Sequence, residues 1–99
     1  MNATITTQNI ADMFFPIFKA YDINRAILFG SVAKGTSNSQ SDIDIFVDSQ
    51  LKGLRFVGLL EELKNVAERD IDLINSTHIE SGSAVDLEIQ KTGVVIYEK

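Results

Sequence analysis

The sequence has no cysteine, a single proline, a single histidine and no apolar run of membrane-spanning length. Without cysteine, disulfides and thiolate zinc sites are excluded, and cysteine usage says nothing about compartment. The opening stretch MNATITTQNIADMFF has neither the basic start nor the long apolar segment of a signal peptide. A soluble cytoplasmic protein without membrane association is therefore expected. Positive charge is scarce as well. Nine Lys and Arg face fourteen Asp and Glu, the net charge is −5, and the basic residues form no run. Binding along a nucleic acid relies on Lys and Arg to neutralise phosphates, so no direct nucleic-acid binding is expected. A small phosphate site remains compatible with this balance.

What is present suits one globular domain over residues 1–99, with 44% hydrophobic and 23% charged residues and a core of modest size. There is no internal repeat, low-complexity tract or linker. Residues 7–21 carry Ile10, Met13, Phe14, Ile17 and Phe18 at helical spacing, and Pro16 predicts a kink or a division into two short helices. Phe15 or Phe18 could face a partner, because the cluster exceeds one helix face. Strands are expected at 25–29 (RAILF), 42–47 (DIDIFV) and 71–75 (IDLIN). Between the last two, Leu54, Val57, Leu60, Leu63 and Val66 recur at intervals of three and predict an amphipathic helix. Residues 83–91 read as a weak helix, and GVVIYE at 93–98 as an edge strand or an extended tail. The order predicts an α/β domain with a small sheet covered by helices.

The stretch LFGSVAKGTSNSQSDIDIFVD, residues 28–48, carries the chemistry. Strand residues two apart share a face. Asp42 and Asp44 therefore project together, opposite Ile43, Ile45 and Val47. Two carboxylates so close repel one another unless a cation intervenes, and magnesium suits a few carboxylates plus phosphate oxygens. The third strand offers Asp70 and Asp72. Asp72, flanked by Ile71 and Leu73 inside the strand, is the better third carboxylate. Gly30 lets the backbone approach a ligand closely, and Ser31 at a helix start would add amides and a hydroxyl toward phosphate. Lys34 can reach the same anion. Ser41 joins the nucleotide-binding candidates, or orders the loop before the strand. His78 is read as an exposed, idle loop histidine. A P-loop fails because the lysine precedes the second glycine. A calcium loop fails because apolar residues separate the aspartates.

Gly30-Ser31-Val32-Ala33-Lys34-Gly35 followed by Ser41-Asp42-Ile43-Asp44 resembles the nucleotidyltransferase signature of the DNA polymerase β-like superfamily. The lead-in FPIFKAYDINRAILFGS and the strand DIDLIN are similar to the minimal nucleotidyltransferases, the MNT proteins, and the similarity covers almost the whole chain. The resemblance implies a palm-like α/β (α+β) fold with a small mixed sheet of three to four strands. It implies Gly30 and Ser31 at the triphosphate, and Asp42, Asp44 and Asp72 as catalytic ligands of two magnesium ions, with ATP as substrate. The family often has arginine where this chain has Val32 and Lys34. The first difference removes an anion contact, and the second replaces a fork by a point charge.

Members of this family are commonly paired with HEPN-domain toxins. The resemblance thus implies a hetero-oligomer in which this chain is the antitoxin and transfers AMP to a partner hydroxyl, a tyrosine in studied cases. The short chain leaves few residues for a second wall, so the acceptor protein is expected to complete the site. Two rival readings are a docking antitoxin without catalysis and a small-molecule nucleotidyltransferase.

Overall fold

The computed structural model describes residues 6–35 and 41–99. Positions 36–40 of the loop expected over 35–41 lie outside the described residues. The element order is α1 (Thr7–Ala20), β1 (Arg25–Phe29), α2 (Gly30–Lys34), β2 (Ile43–Asp48), α3 (Leu54–Ala67), β3 (Ile71–Asn75), a 3-10 turn (Ser76–His78), α4 (Ala84–Thr92) and β4 (Val94–Glu98). The sheet order is β3-β2-β1-β4. β1 runs antiparallel to both β2 and β4, whereas β2 and β3 are parallel and joined through α3. The mixed sheet and its helices match the expected α/β class. The C-terminal segment resolves into an edge strand.

α1 begins at Thr6, whose side chain accepts a hydrogen bond from the Asn9 amide. It is one continuous helix through Pro16, not two. A proline inside a helix costs about 3 kcal/mol. Ile10, Phe14, Ile17 and Phe18 are all buried on one face, and each such burial contributes about 1.5–3 kcal/mol. Together they outweigh the proline, which lies on the exposed side. Phe18 is fully buried. Phe15 is half-exposed and meets Tyr97 edge-on.

α3 departs from the expected face. Leu59 and Leu63 are buried, with Phe56, Leu60 and Ala67 packed against the core, whereas Val57 and Val66 are exposed and Leu54 is 88% exposed. A strict spacing of three drifts by about 60° per step on a helix of 3.6 residues per turn. The apparent stripe therefore winds around the helix, and the i, i+4 line Leu59–Leu63–Ala67 faces inward.

Register divides the sheet into two faces. Ala26 pairs with Val47, Leu28 with Ile45, and Ile43 with Ile71. These side chains form one buried face, with Ile10, Phe14 and Phe18 of α1 and Leu59 and Leu63 of α3 in the same core. The opposite face carries Phe29, Asp44 and Asp72 in one lateral row. Among the described residues no helix is long and apolar enough to cross a membrane.

Candidate active site

The row of Asp44 and Asp72 is set by strand pairing alone. Adjacent residues in a parallel pair project to the same side, and the register places Asp44 beside Asp72. Asp42 precedes β2 by one residue and is exposed, as is Asp72, while Asp44 is half-buried. Asp70 contributes its backbone: its carbonyl accepts from the Ile43 amide at 3.0 Å. The structure thus sets Asp44 beside Asp72, with Asp42 just before β2 and near enough for its charge to act on Asp44, and gives Asp70 a strand-pairing role.

Burial pushes the Asp44 carboxyl above its ordinary range, and the charges of Asp72, Asp42 and Glu88 push it further in the same direction. An oxygen-only set of repelling carboxylates has the chemistry a hard divalent cation selects. The set is not closed into a cage. Among the described residues no group of three or more His, Asp or Glu side chains is gathered to hold a metal ion.

Gly30 forms the other wall. It follows β1 directly with φ of +78°, and a Cβ there would run into the Asp44 carboxylate. Glycine is required twice over, by its left-handed backbone and by the close approach of that carboxylate. Ser31 is half-buried in the first turn of α2. Val32 packs into the core, so position 32 does not present its side chain to the carboxylates. Lys34 ends α2, and Gly35 closes the helix in the left-handed conformation. The Ser41 carbonyl accepts from Arg69 at 3.4 Å. His78 is exposed and meets Phe56 edge-on.

Sequence reasoning missed α4's contribution. The helix starts at Ser83, whose hydroxyl accepts from the Asp86 amide at 3.2 Å. It packs against α2 and β1. There Thr92 accepts from the Gly30 amide at 3.1 Å and donates to the Glu88 carbonyl at 2.9 Å. Glu88 pairs with Lys34 at 3.5 Å. Nothing in the sequence placed this helix beside Gly30, because the contact spans sixty-two positions.

Similar folds occur among solved structures. A toxin–antitoxin crystal structure with AMP-PNP superposes with a TM-score of 0.73 at 23% identity, covering 90% of this chain and 73% of that one. A complex of tri-AMPylated Shewanella oneidensis HEPN toxin with MNT antitoxin gives a TM-score of 0.68 at 20% identity, covering 95% and 74%. A toxin–antitoxin MntA–HepT structure gives 0.66 at 21% identity, covering 93% and 73%. At these identities the likeness concerns the fold. A comparison with curated protein sequences gives no match. The sequence itself, over residues 14–99, matches the family described as polymerase beta, nucleotidyltransferase. With the Gly30-Ser31 corner and the Asp44–Asp72 row in place, the chain belongs to the polymerase beta nucleotidyltransferase family.

Proposed function

We propose that this domain transfers AMP from ATP to a hydroxyl, a tyrosine by expectation, on a HEPN-domain partner, and so acts as the antitoxin of a toxin–antitoxin pair. The observation that carries the reading is the lateral row of Asp44 and Asp72 beside Gly30, with Asp42 two residues before Asp44. Solved structures of the same fold support the reading: one contains AMP-PNP, and another an AMPylated HEPN toxin with an MNT antitoxin.

In this reading Ser31, Lys34 and the backbone at Gly30 bind and orient the triphosphate, with Ser41, two residues before β2, completing the nucleotide side. Asp42, Asp44 and Asp72 would hold magnesium ions, which neutralise triphosphate charge and lower the pKa of an attacking hydroxyl when bound. Asp72, on the edge strand, accepts the proton of that hydroxyl. The oxygen bonds to the α-phosphorus as the bond to pyrophosphate breaks. Positioning and electrostatics provide the rate enhancement, since the protein forms no covalent bond to the nucleotide.

A docking antitoxin without catalysis is favoured by one observation. The Gly30 amide and Lys34 already have partners on α4. One experiment separates the two readings. The chain is incubated with labelled ATP, magnesium and a HEPN-domain protein encoded beside it, and both proteins are weighed by mass spectrometry. Addition of AMP to the HEPN protein by the parent, abolished by Asp42→Asn with Asp44→Asn, supports transfer. Neutralisation of the toxin by both forms, with no mass gain, supports docking alone.

A further inference from the structure

α4 holds two groups that the nucleotide reading assigns to phosphate. Lys34 Nζ lies 3.5 Å from Glu88 Oε2, and the Gly30 amide donates to Thr92 Oγ1 at 3.1 Å. The two contacts are coupled. The Thr92 hydroxyl donates to the Glu88 carbonyl at 2.9 Å, and Glu88 Oε2 lies 3.4 Å from the same hydroxyl. One turn of α4 thus presents an anion and a hydroxyl to the end and the start of α2. Glu88 also adds to the negative field around Asp44, alongside Asp72 and Asp42.

We propose that Glu88 is a positioning residue that sets nucleotide affinity: it draws Lys34 against α4, and a triphosphate at the Gly30-Ser31 corner competes with it for the ammonium group. The inference rests on the nucleotidyltransferase reading and deepens it. The Glu88 carboxylate directs the lysine across α2 toward α4, and a phosphate contact by Lys34 competes with that carboxylate. The pair is accessible enough for the exchange, with side-chain exposures of 49% for Lys34 and 37% for Glu88. Ion pairs this exposed are worth up to about 1 kcal/mol, which bounds the effect at about fivefold in affinity.

The test is a titration of the full chain with AMP-PNP and magnesium, followed by NMR shifts of the labelled protein, with thermal melts of every variant run alongside. Glu88→Gln is expected to tighten AMP-PNP binding by about two- to fivefold, and Lys34→Gln to weaken it. The double variant is the decisive measurement, because a coupling energy isolates the pair. In the Lys34→Gln background, Glu88→Gln is expected to bring less than about half of its gain. Glu88→Ala provides a second removal of the carboxylate should the glutamine variant melt early. An equal gain in both backgrounds overturns the inference, since Glu88 would then act only as a nearby negative charge. So does unchanged or weaker binding on removing Glu88 alone. If parent and variants alike fail to bind AMP-PNP both alone and with the HEPN-domain partner present, the nucleotide reading falls and this inference with it.

Discussion

An Asp44 carboxylate oxygen occupies the space where a side chain at residue 30 would begin. The strand-to-helix corner and the acidic row are therefore one fitted unit. Gly30→Ala would collide with that oxygen and place alanine at φ of +78°. Backbone strain of this kind costs about 1–3 kcal/mol. The substitution is expected to lower the melting temperature by about 4–24 °C, given about 4–8 °C per kcal/mol for a domain of this size. It should also abolish AMP transfer, because the carboxylate must move. A melting curve and a labelled-ATP transfer assay check both. An unchanged melting temperature with full transfer would refute the fitted corner.

The acidic row should cost stability. Asp44 has its carboxyl raised by burial first and then by Asp72, Asp42 and Glu88. For a carboxylate with a raised folded-state pKa, the stabilising contribution is complete below the ordinary aspartate range and is lost as pH rises through the folded value. Asp44→Asn removes the group that must ionise. Without divalent cations the variant is expected to melt a few degrees above the parent at pH 7. The difference should close as pH falls below about 3, where the parent's carboxyl is largely protonated in both states. Transfer should fall at least about a hundredfold, as for loss of a preorganised electrostatic group. Equal melting temperatures at pH 7 would mean that the repulsion is relieved within the fold.

Asp70 and Asp72 stand two residues apart but are placed differently, Asp70 just before β3 and Asp72 within it. Asp72 lies beside Asp44, whereas Asp70 holds Ile43 through its carbonyl, which survives any side-chain substitution. Asp70→Asn is expected to transfer AMP within about twofold of the parent, a change consistent with a screened surface charge. Asp72→Asn should lose at least about a hundredfold. Measuring initial rates of both under the same conditions decides the assignment, and a reversed order would remove Asp72 from the site.

How far the sequence reached depended on whether a feature was local. The three expected strands and the short turn of helix after Gly30 follow from period-two alternation and from glycine, both readable within a few residues. Placing Asp72 beside Asp44 required only the guess that the third strand adjoins the second. The inward face of α3 was misread because Leu54, Val57, Leu60, Leu63 and Val66 keep a regular interval that a helix does not keep on one side. Pro16 was overweighted, because its local penalty is visible in sequence while the buried face opposing it is a tertiary quantity. Glu88 and Thr92 were out of reach. Their meaning comes from α4 docking on α2, and neither residue type marks that contact in advance.

Asn75 was equally silent in the sequence, yet it fixes the register on which the acidic row depends. It is fully buried at the end of β3. Its Oδ1 accepts from the Ser49 amide at 3.2 Å, the Ser49 hydroxyl at 3.0 Å and the Ser76 amide at 2.9 Å. Its Nδ2 reaches the Leu51 carbonyl and the Thr77 hydroxyl. One side chain thus ties the end of β2 to the end of β3, three residues beyond Asp72. Asn75→Ala would leave the Ser49 and Ser76 donors without that acceptor, and stranded buried donors cost about 1–3 kcal/mol each. A fall in melting temperature of at least about 8 °C is expected. Asn75→Asp restores an acceptor but buries a charge, so it should be rescued in part at low pH, where the carboxyl is protonated. Because the tie holds β3 against β2, transfer should also fall in Asn75→Ala at temperatures well below its melting point. A variant that melts early but transfers AMP at the parent's rate when folded would separate the register of Asp44 and Asp72 from this anchor.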